Sequence, residues 1–71
     1  MSDTTAMLVR MANQIAANLQ HEPDPVAATA EHIRLFWDPR MRRMIAEHGD
    51  SGLSETAASA IRHLAASQSA Q

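Results

Sequence analysis

At residues 36–43 the chain reads Phe36-Trp37-Asp38-Pro39-Arg40-Met41-Arg42-Arg43. This stretch holds both aromatic residues of the chain and three of its six arginines. Because it also contains a strong signal for the start of a helix, it decides where the chain changes direction.

The dipeptide Asp38-Pro39 predicts the end of one helix and the start of the next. Aspartate is a preferred N-cap, and proline is favoured at the first helical position, where its missing N–H costs nothing. Proline also pushes the residue before it out of the α region. We therefore expect a rigid corner built by Trp37, Asp38 and Pro39, with Phe36 and Trp37 on one side of the break and the arginines on the other.

Helical periodicity on both sides of this corner predicts four helices. The first spans about residues 4–20, and the second starts at Pro25 behind the cap Asp24 and ends near Trp37. The third spans residues 39–48 and stops at Gly49, and the fourth starts behind the cap Ser54. Since no stretch alternates with a period of two, the fold class is all-α, a small bundle of about four short helices.

The apolar stripes of these helices predict the core. The expected stripe positions are Leu8, Met11, Ala12, Ile15 and Leu19 in the first helix, Val26, Ala30, Ile33 and Trp37 in the second, Met41, Met44, Ile45 and His48 in the third, and Ala57, Ala60, Ile61 and Leu64 in the fourth. The residues expected to form the core are Leu8, Ile15, Ile33, Trp37, Ile45, Ile61 and Leu64.

The two aromatic rings are expected to have different roles. Consecutive helical positions differ by about 100°, so both rings cannot lie at the centre of one narrow stripe. Trp37 continues the stripe of Ile33 and is the better core candidate. Phe36 is then expected on a surface that meets a partner, together with Arg40 and Arg43.

Length and composition limit the chain to one small domain. At 71 residues it is expected to form a single helical domain over residues 1–71, with an ordered core at about 4–66 and a frayed tail at 67–71. A domain this small buries only roughly 60% of its unfolded surface, so its stability is marginal. Without cysteine it can use neither disulfides nor thiolate metal sites, so its stability must come from its own core or from a partner.

Independent catalysis is not expected from these residues. There is no cysteine nucleophile and no serine in a G-x-S-x-G setting, and the two glycines, Gly49 and Gly52, cannot form a phosphate-binding loop. The four histidines include no H-x-x-x-H pair; a site gathering His32, His48 and His63 is the remaining metal alternative. The polar N-terminus and the lack of a long apolar run favour a soluble cytoplasmic protein with no membrane contact.

A second alternative is nucleic-acid binding through the arginine cluster of Arg34, Arg40, Arg42 and Arg43. Phosphate binding normally depends on a broad basic field, whereas this chain has a formal net charge of −2. The net charge and the sequence pI of about 6.0 therefore argue against nucleic-acid binding. All six cations are arginine, which is favoured over lysine in protein interfaces; high genomic GC content is the alternative explanation for the absence of lysine.

Two blocks of the sequence carry a resemblance to a known family. They are R-M-A-N-Q-I-A at residues 10–16 and H-I-R-L-F-W-D-P-R-M-R at residues 32–42, followed by the pair Gly52-Leu53. With this spacing the chain resembles the delta subunit of NAD-dependent, molybdenum-containing formate dehydrogenases. The resemblance covers roughly residues 7–65, and F-W-D-P-R-M-R is its most specific part.

The resemblance implies a non-catalytic accessory subunit of a cytoplasmic complex that oxidises formate to carbon dioxide and reduces NAD⁺. Its partner would be the large catalytic subunit. The molybdenum bis-pterin cofactor, iron–sulfur clusters, FMN and NAD would belong to the other subunits, and this chain would bind none of them. An alternative role is that of a transient maturation chaperone for molybdenum cofactor insertion, which visits the cofactor-free catalytic subunit and leaves.

The residues expected to contact this partner come from the first helix and from the corner. Arginine and methionine are enriched at protein interfaces, and the corner offers both. The expected contact residues are Asn13, Gln14, Phe36, Arg40, Met41, Arg42 and Arg43.

Overall fold

A computed structural model describes residues 4–69 of the chain, with side chains described over residues 4–66. It contains four helices, α1 (Thr4–Asn18), α2 (Pro25–Phe36), α3 (Pro39–His48) and α4 (Glu55–Ser69), and no strand among the described residues. The all-α prediction is confirmed. The most extensive helix contact is between α2 and α4, while α1 packs against all three other helices.

The same capping device starts three of the helices. The Asp24 Oδ1 atom accepts from the Ala27 N–H at 3.1 Å, and the Asp38 Oδ1 atom accepts from the Met41 N–H at 2.9 Å. At α4 the acceptor is the hydroxyl of Ser54, 3.2 Å from the nitrogen of Ala57. Each cap satisfies one of the N–H groups that lack a partner at a helix start.

The core is built from small and medium side chains. Several alanines are essentially inaccessible, which lets the helix backbones approach closely. Much of the apolar volume between the helices comes from three larger buried side chains, Ile33, Ile45 and Trp37. The buried apolar cluster comprises Leu8, Ala12, Ala16, Ala30, Ile33, Trp37, Ile45, Ala57, Ala60, Ile61 and Leu64.

The first helix differs from the prediction in its end and its buried face. It ends at Asn18 rather than near residue 20, and the Gln20 amide donates to the Ala16 carbonyl at 2.9 Å and to the Thr56 hydroxyl at 3.2 Å. Its buried positions are Leu8, Ala12 and Ala16, which follow an i, i+4, i+8 row. Ile15 is half-buried and packs against the core cluster from its edge rather than belonging to the fully buried set.

Three other stripe positions also lie outside the core. Leu19 follows the end of α1 and is half-buried without belonging to the core cluster. Met11 is 37% exposed, because α1 buries the row of Leu8, Ala12 and Ala16 and Met11 lies to one side of this row. His48 is exposed, and its Nε2 atom lies 2.7 Å from the Ser51 carbonyl oxygen in the α3–α4 loop. The last helix continues to Ser69, beyond the expected core limit at 66; residues 70 and 71 lie outside the described residues.

Candidate docking surface

The corner at residues 36–39 separates the two aromatic rings as predicted. Trp37 is 5% exposed, whereas Phe36 is 71% exposed. Trp37 follows α2 with an extended backbone at φ −98° and ψ 140°, and its N–H still donates to the Ile33 carbonyl at 2.9 Å. The change from helical to extended backbone between these neighbours lets one ring enter the core while the other faces solvent.

A second apolar side chain accompanies Phe36. Leu35 is 59% exposed, and the His32 ring packs against the Phe36 ring with centroids 4.6 Å apart. Leu35 is not among the contact residues expected from the sequence. Its position off the apolar stripe of Ile33 and Trp37 is the signal that indicates its exposure. We call the surface formed by Leu35, Phe36, Arg40 and Arg43 the corner surface.

The four arginines near the corner have three different environments. Arg34 forms a bidentate ion pair with Glu31, with nitrogen–oxygen distances of 3.1 and 2.6 Å. Hydrogen bonding and the positive charge of Arg34 lower the pKa of the exposed Glu31 carboxyl group. The positive charge of Arg34 is therefore already balanced by Glu31 within its own helix.

Arg42 has a structural role at the end of α2. Its Nη1 atom lies 3.4 Å from the Arg34 carbonyl oxygen, in the last turn of α2, where carbonyls lack helical partners. A cation at a helix C-terminus is also favoured by the helix dipole. Arg42 therefore links the start of α3 to the end of α2 and is half-buried, with its Nε atom buried and unbonded among the described residues.

Arg40 and Arg43 are exposed and make no ion pair within residues 4–66. Met41, between them in sequence, is half-buried and packs against the core cluster. The structure thus brings Phe36, Arg40 and Arg43 to the surface of the corner, while Met41 and Arg42 are turned partly inward.

The predicted contact residue Asn13 lies elsewhere and makes two long-range hydrogen bonds. Its Nδ2 atom donates to the Gly52 carbonyl at 2.9 Å, and its Oδ1 atom accepts from the Ser54 N–H at 2.8 Å. These bonds attach α1 to the loop before α4. The same loop lies close to Val9, whose Cγ1 atom would be 3.4 Å from a Cβ atom added at Gly52. The intramolecular role accounts for a polar residue here, and a partner contact of Asn13 stays a prediction.

We expect Asn13→Ala to lower the free energy of unfolding by about 1 kcal/mol, since two long-range hydrogen bonds are lost at an exposed site where water can replace them. The check is the urea midpoint followed by circular dichroism. Gln14→Ala is the matched control, because the Gln14 side chain is exposed and makes no hydrogen bond among the described residues. A control effect as large as that of Asn13→Ala would contradict the role of this amide.

Gln14 lies instead along a shallow open groove on α1. The groove is lined by Met7, Arg10, Met11, Gln14 and Ile15, with Met7 53% exposed. The groove and the corner surface contain the large apolar side chains that residues 4–66 leave exposed, namely Met7, Met11, Leu35 and Phe36.

Other kinds of site find little support in the part of the chain that the structure describes. No group of three or more His, Asp or Glu side chains that could hold a metal ion occurs there. None of the helices within residues 4–69 is long and apolar enough to cross a membrane. The donor set also does not fit an iron–sulfur cluster, because the sequence has no cysteine.

Fold and surface together define a small helical module with an exposed aromatic and arginine corner. The family model described as NADH-dependant formate dehydrogenase delta subunit FdsD matches residues 7–61, well over half of the chain. The protein therefore belongs to this delta subunit family, and the resemblance noted in its sequence is confirmed. Searches of curated proteins and of solved structures gave no significant match.

Proposed function

We propose that this chain is a non-catalytic accessory subunit that docks on the large catalytic subunit of a cytoplasmic NADH-dependent formate dehydrogenase. Membership of the delta subunit family supports its place in such a complex. The chain would bind no cofactor, and the molybdenum bis-pterin group, iron–sulfur clusters, FMN and NAD would be held by other subunits.

The observation that carries the docking proposal is the 71% exposure of Phe36 beside the 59% exposure of Leu35. Fully burying a Phe or Leu side chain contributes roughly 1.5–3 kcal/mol, so two such side chains left in water offer substantial binding energy. Neighbouring exposed arginines complete the composition of an interface hot spot, which is enriched in aromatic and arginine residues.

The direct test is to purify the tagged chain from cells that produce the complete formate dehydrogenase. We expect stoichiometric recovery of the large catalytic subunit, with molybdenum and formate-oxidising activity in the same fraction. Recovery only with the molybdenum-free catalytic subunit would indicate the transient maturation factor instead. Absence of any large redox subunit would contradict both roles.

A further inference from the structure

The positions of Arg40 and Arg43 are not explained by the stability of the chain itself. Both lie in the first half of α3, and the first turn of this helix has no acidic residue. The helix dipole makes cations unfavourable at an N-terminus, where anions are stabilising. The dipole therefore disfavours Arg40 in the first turn and gives no stabilisation at Arg43, which lies beyond that turn. Neither arginine is paired within residues 4–66.

The carboxylates of α2, of the corner and of α3 do not pair with these two arginines. The Asp38 carboxylate caps α3 by accepting from the Met41 N–H. Glu31 is held by Arg34 through two hydrogen bonds. Glu47 is exposed one turn beyond Arg43 but forms no ion pair with it. The guanidinium groups of Arg40 and Arg43 thus keep their full set of donors for another molecule.

These free charges are close in the chain to the exposed apolar side chains of the corner surface. Phe36 is the last residue of α2, and Arg40 is the second residue of α3. The hydrogen bond from Arg42 to the Arg34 carbonyl holds the start of α3 at the end of α2. The corner surface therefore contains both exposed apolar side chains and unpaired cations on the two sides of one helix break.

We infer that the surface of the larger subunit that receives the corner is an apolar pocket with carboxylates at its rim. Phe36 and Leu35 would fill the pocket, and Arg40 and Arg43 would pair with the rim carboxylates, which suit the planar guanidinium fork. This inference rests on the proposed docking function and adds the chemistry of the partner surface. Charge complementarity of this kind acts mainly on the association rate and on specificity.

The test measures binding of the full chain to the formate dehydrogenase complex prepared without it, over a series of salt concentrations. For the unmodified chain we expect the association rate to fall as salt rises. For the double variant Arg40→Gln/Arg43→Gln we expect an association rate on the order of tenfold lower at low salt and a flatter salt dependence. Arg10→Gln, which removes one exposed unpaired arginine from α1, is the matched control for the single variant Arg40→Gln and is expected to bind like the unmodified chain.

Three outcomes would overturn the inference. The first is binding by the unmodified chain that neither salt nor the double substitution changes, which would leave the docking function intact. The second is a loss for Arg10→Gln equal to that for Arg40→Gln, which would indicate an effect of net charge rather than of the corner surface. The third is salt-dependent retention on duplex DNA that the double variant loses, which would assign the arginines to phosphates. If the unmodified chain does not bind the complex at any salt concentration, the docking function fails together with the inference.

Discussion

Trp37→Ala is expected to lower the free energy of unfolding by about 3–5 kcal/mol, the range for truncation of a buried aromatic side chain. Trp37 is 5% exposed and belongs to the same buried cluster as Ile33 and Ile45. A domain of this size has a total stability of roughly 4–10 kcal/mol, so the substitution would remove a large fraction of it. Urea denaturation followed by far-ultraviolet circular dichroism measures the loss.

Two further measurements make this prediction specific. Trp37→Phe keeps an aromatic ring in the site and leaves a smaller cavity, so it should cost less than Trp37→Ala. Trp37 is also the single tryptophan of the chain, so its fluorescence should shift to longer wavelength when the native protein unfolds. Equal stability of Trp37→Ala and the unmodified chain would show that this ring does not support the core.

Local signals explain why the helix starts and the corner could be predicted from the sequence. The caps at Asp24 and Asp38 act on N–H groups three residues away, and the following prolines allow few other backbone conformations. Gly49, with φ of 87°, ends α3 where the periodic pattern stops. The physical information for each of these features lies within a few residues of the chain.

The rotation of α1 could not be predicted with the same accuracy. Alanine is common on this helix and fits either a core or a surface position, so the apolar stripe is broad. The predicted stripe included Ala12 and the larger Ile15, whereas the structure fully buries Ala12 and Ala16 and leaves Ile15 half-buried. In a core built from small side chains, the approach of the partner helix decides which face is buried.

The contacts of the polar side chains depended on tertiary structure. Asn13 bonds to residues 39 and 41 positions away, and no local pattern indicates these partners. Likewise, the sequence showed a cluster of arginines, but only the folded chain distinguishes the paired Arg34 and the capping Arg42 from the free Arg40 and Arg43. The corner surface was thus predicted in part, and its charge distribution was not.

Phe36→Ala is expected to separate binding from folding. Since Phe36 is 71% exposed, its truncation should change the free energy of unfolding by less than about 1 kcal/mol, mainly through the lost contact with the His32 ring. Its affinity for the formate dehydrogenase complex should fall by roughly 30-fold or more, which corresponds to about 2 kcal/mol for a hot-spot residue. Titration of the complex lacking this subunit with the variant chain gives the affinity, and denaturation of the same sample gives the stability.

Comparison with two other variants decides what the Phe36 result means. Met7→Ala also removes an exposed apolar side chain, 53% exposed on α1, and should bind nearly as well as the unmodified chain if docking depends on the corner. Trp37→Ala should lose stability first and binding only as a consequence. If Phe36→Ala instead unfolds the domain with no separate binding defect, the assignment of Phe36 to the interface is wrong. A retained fold with lost binding would mean that the helix break at Asp38-Pro39 serves two purposes, because it buries one ring for stability and leaves its neighbour for the partner.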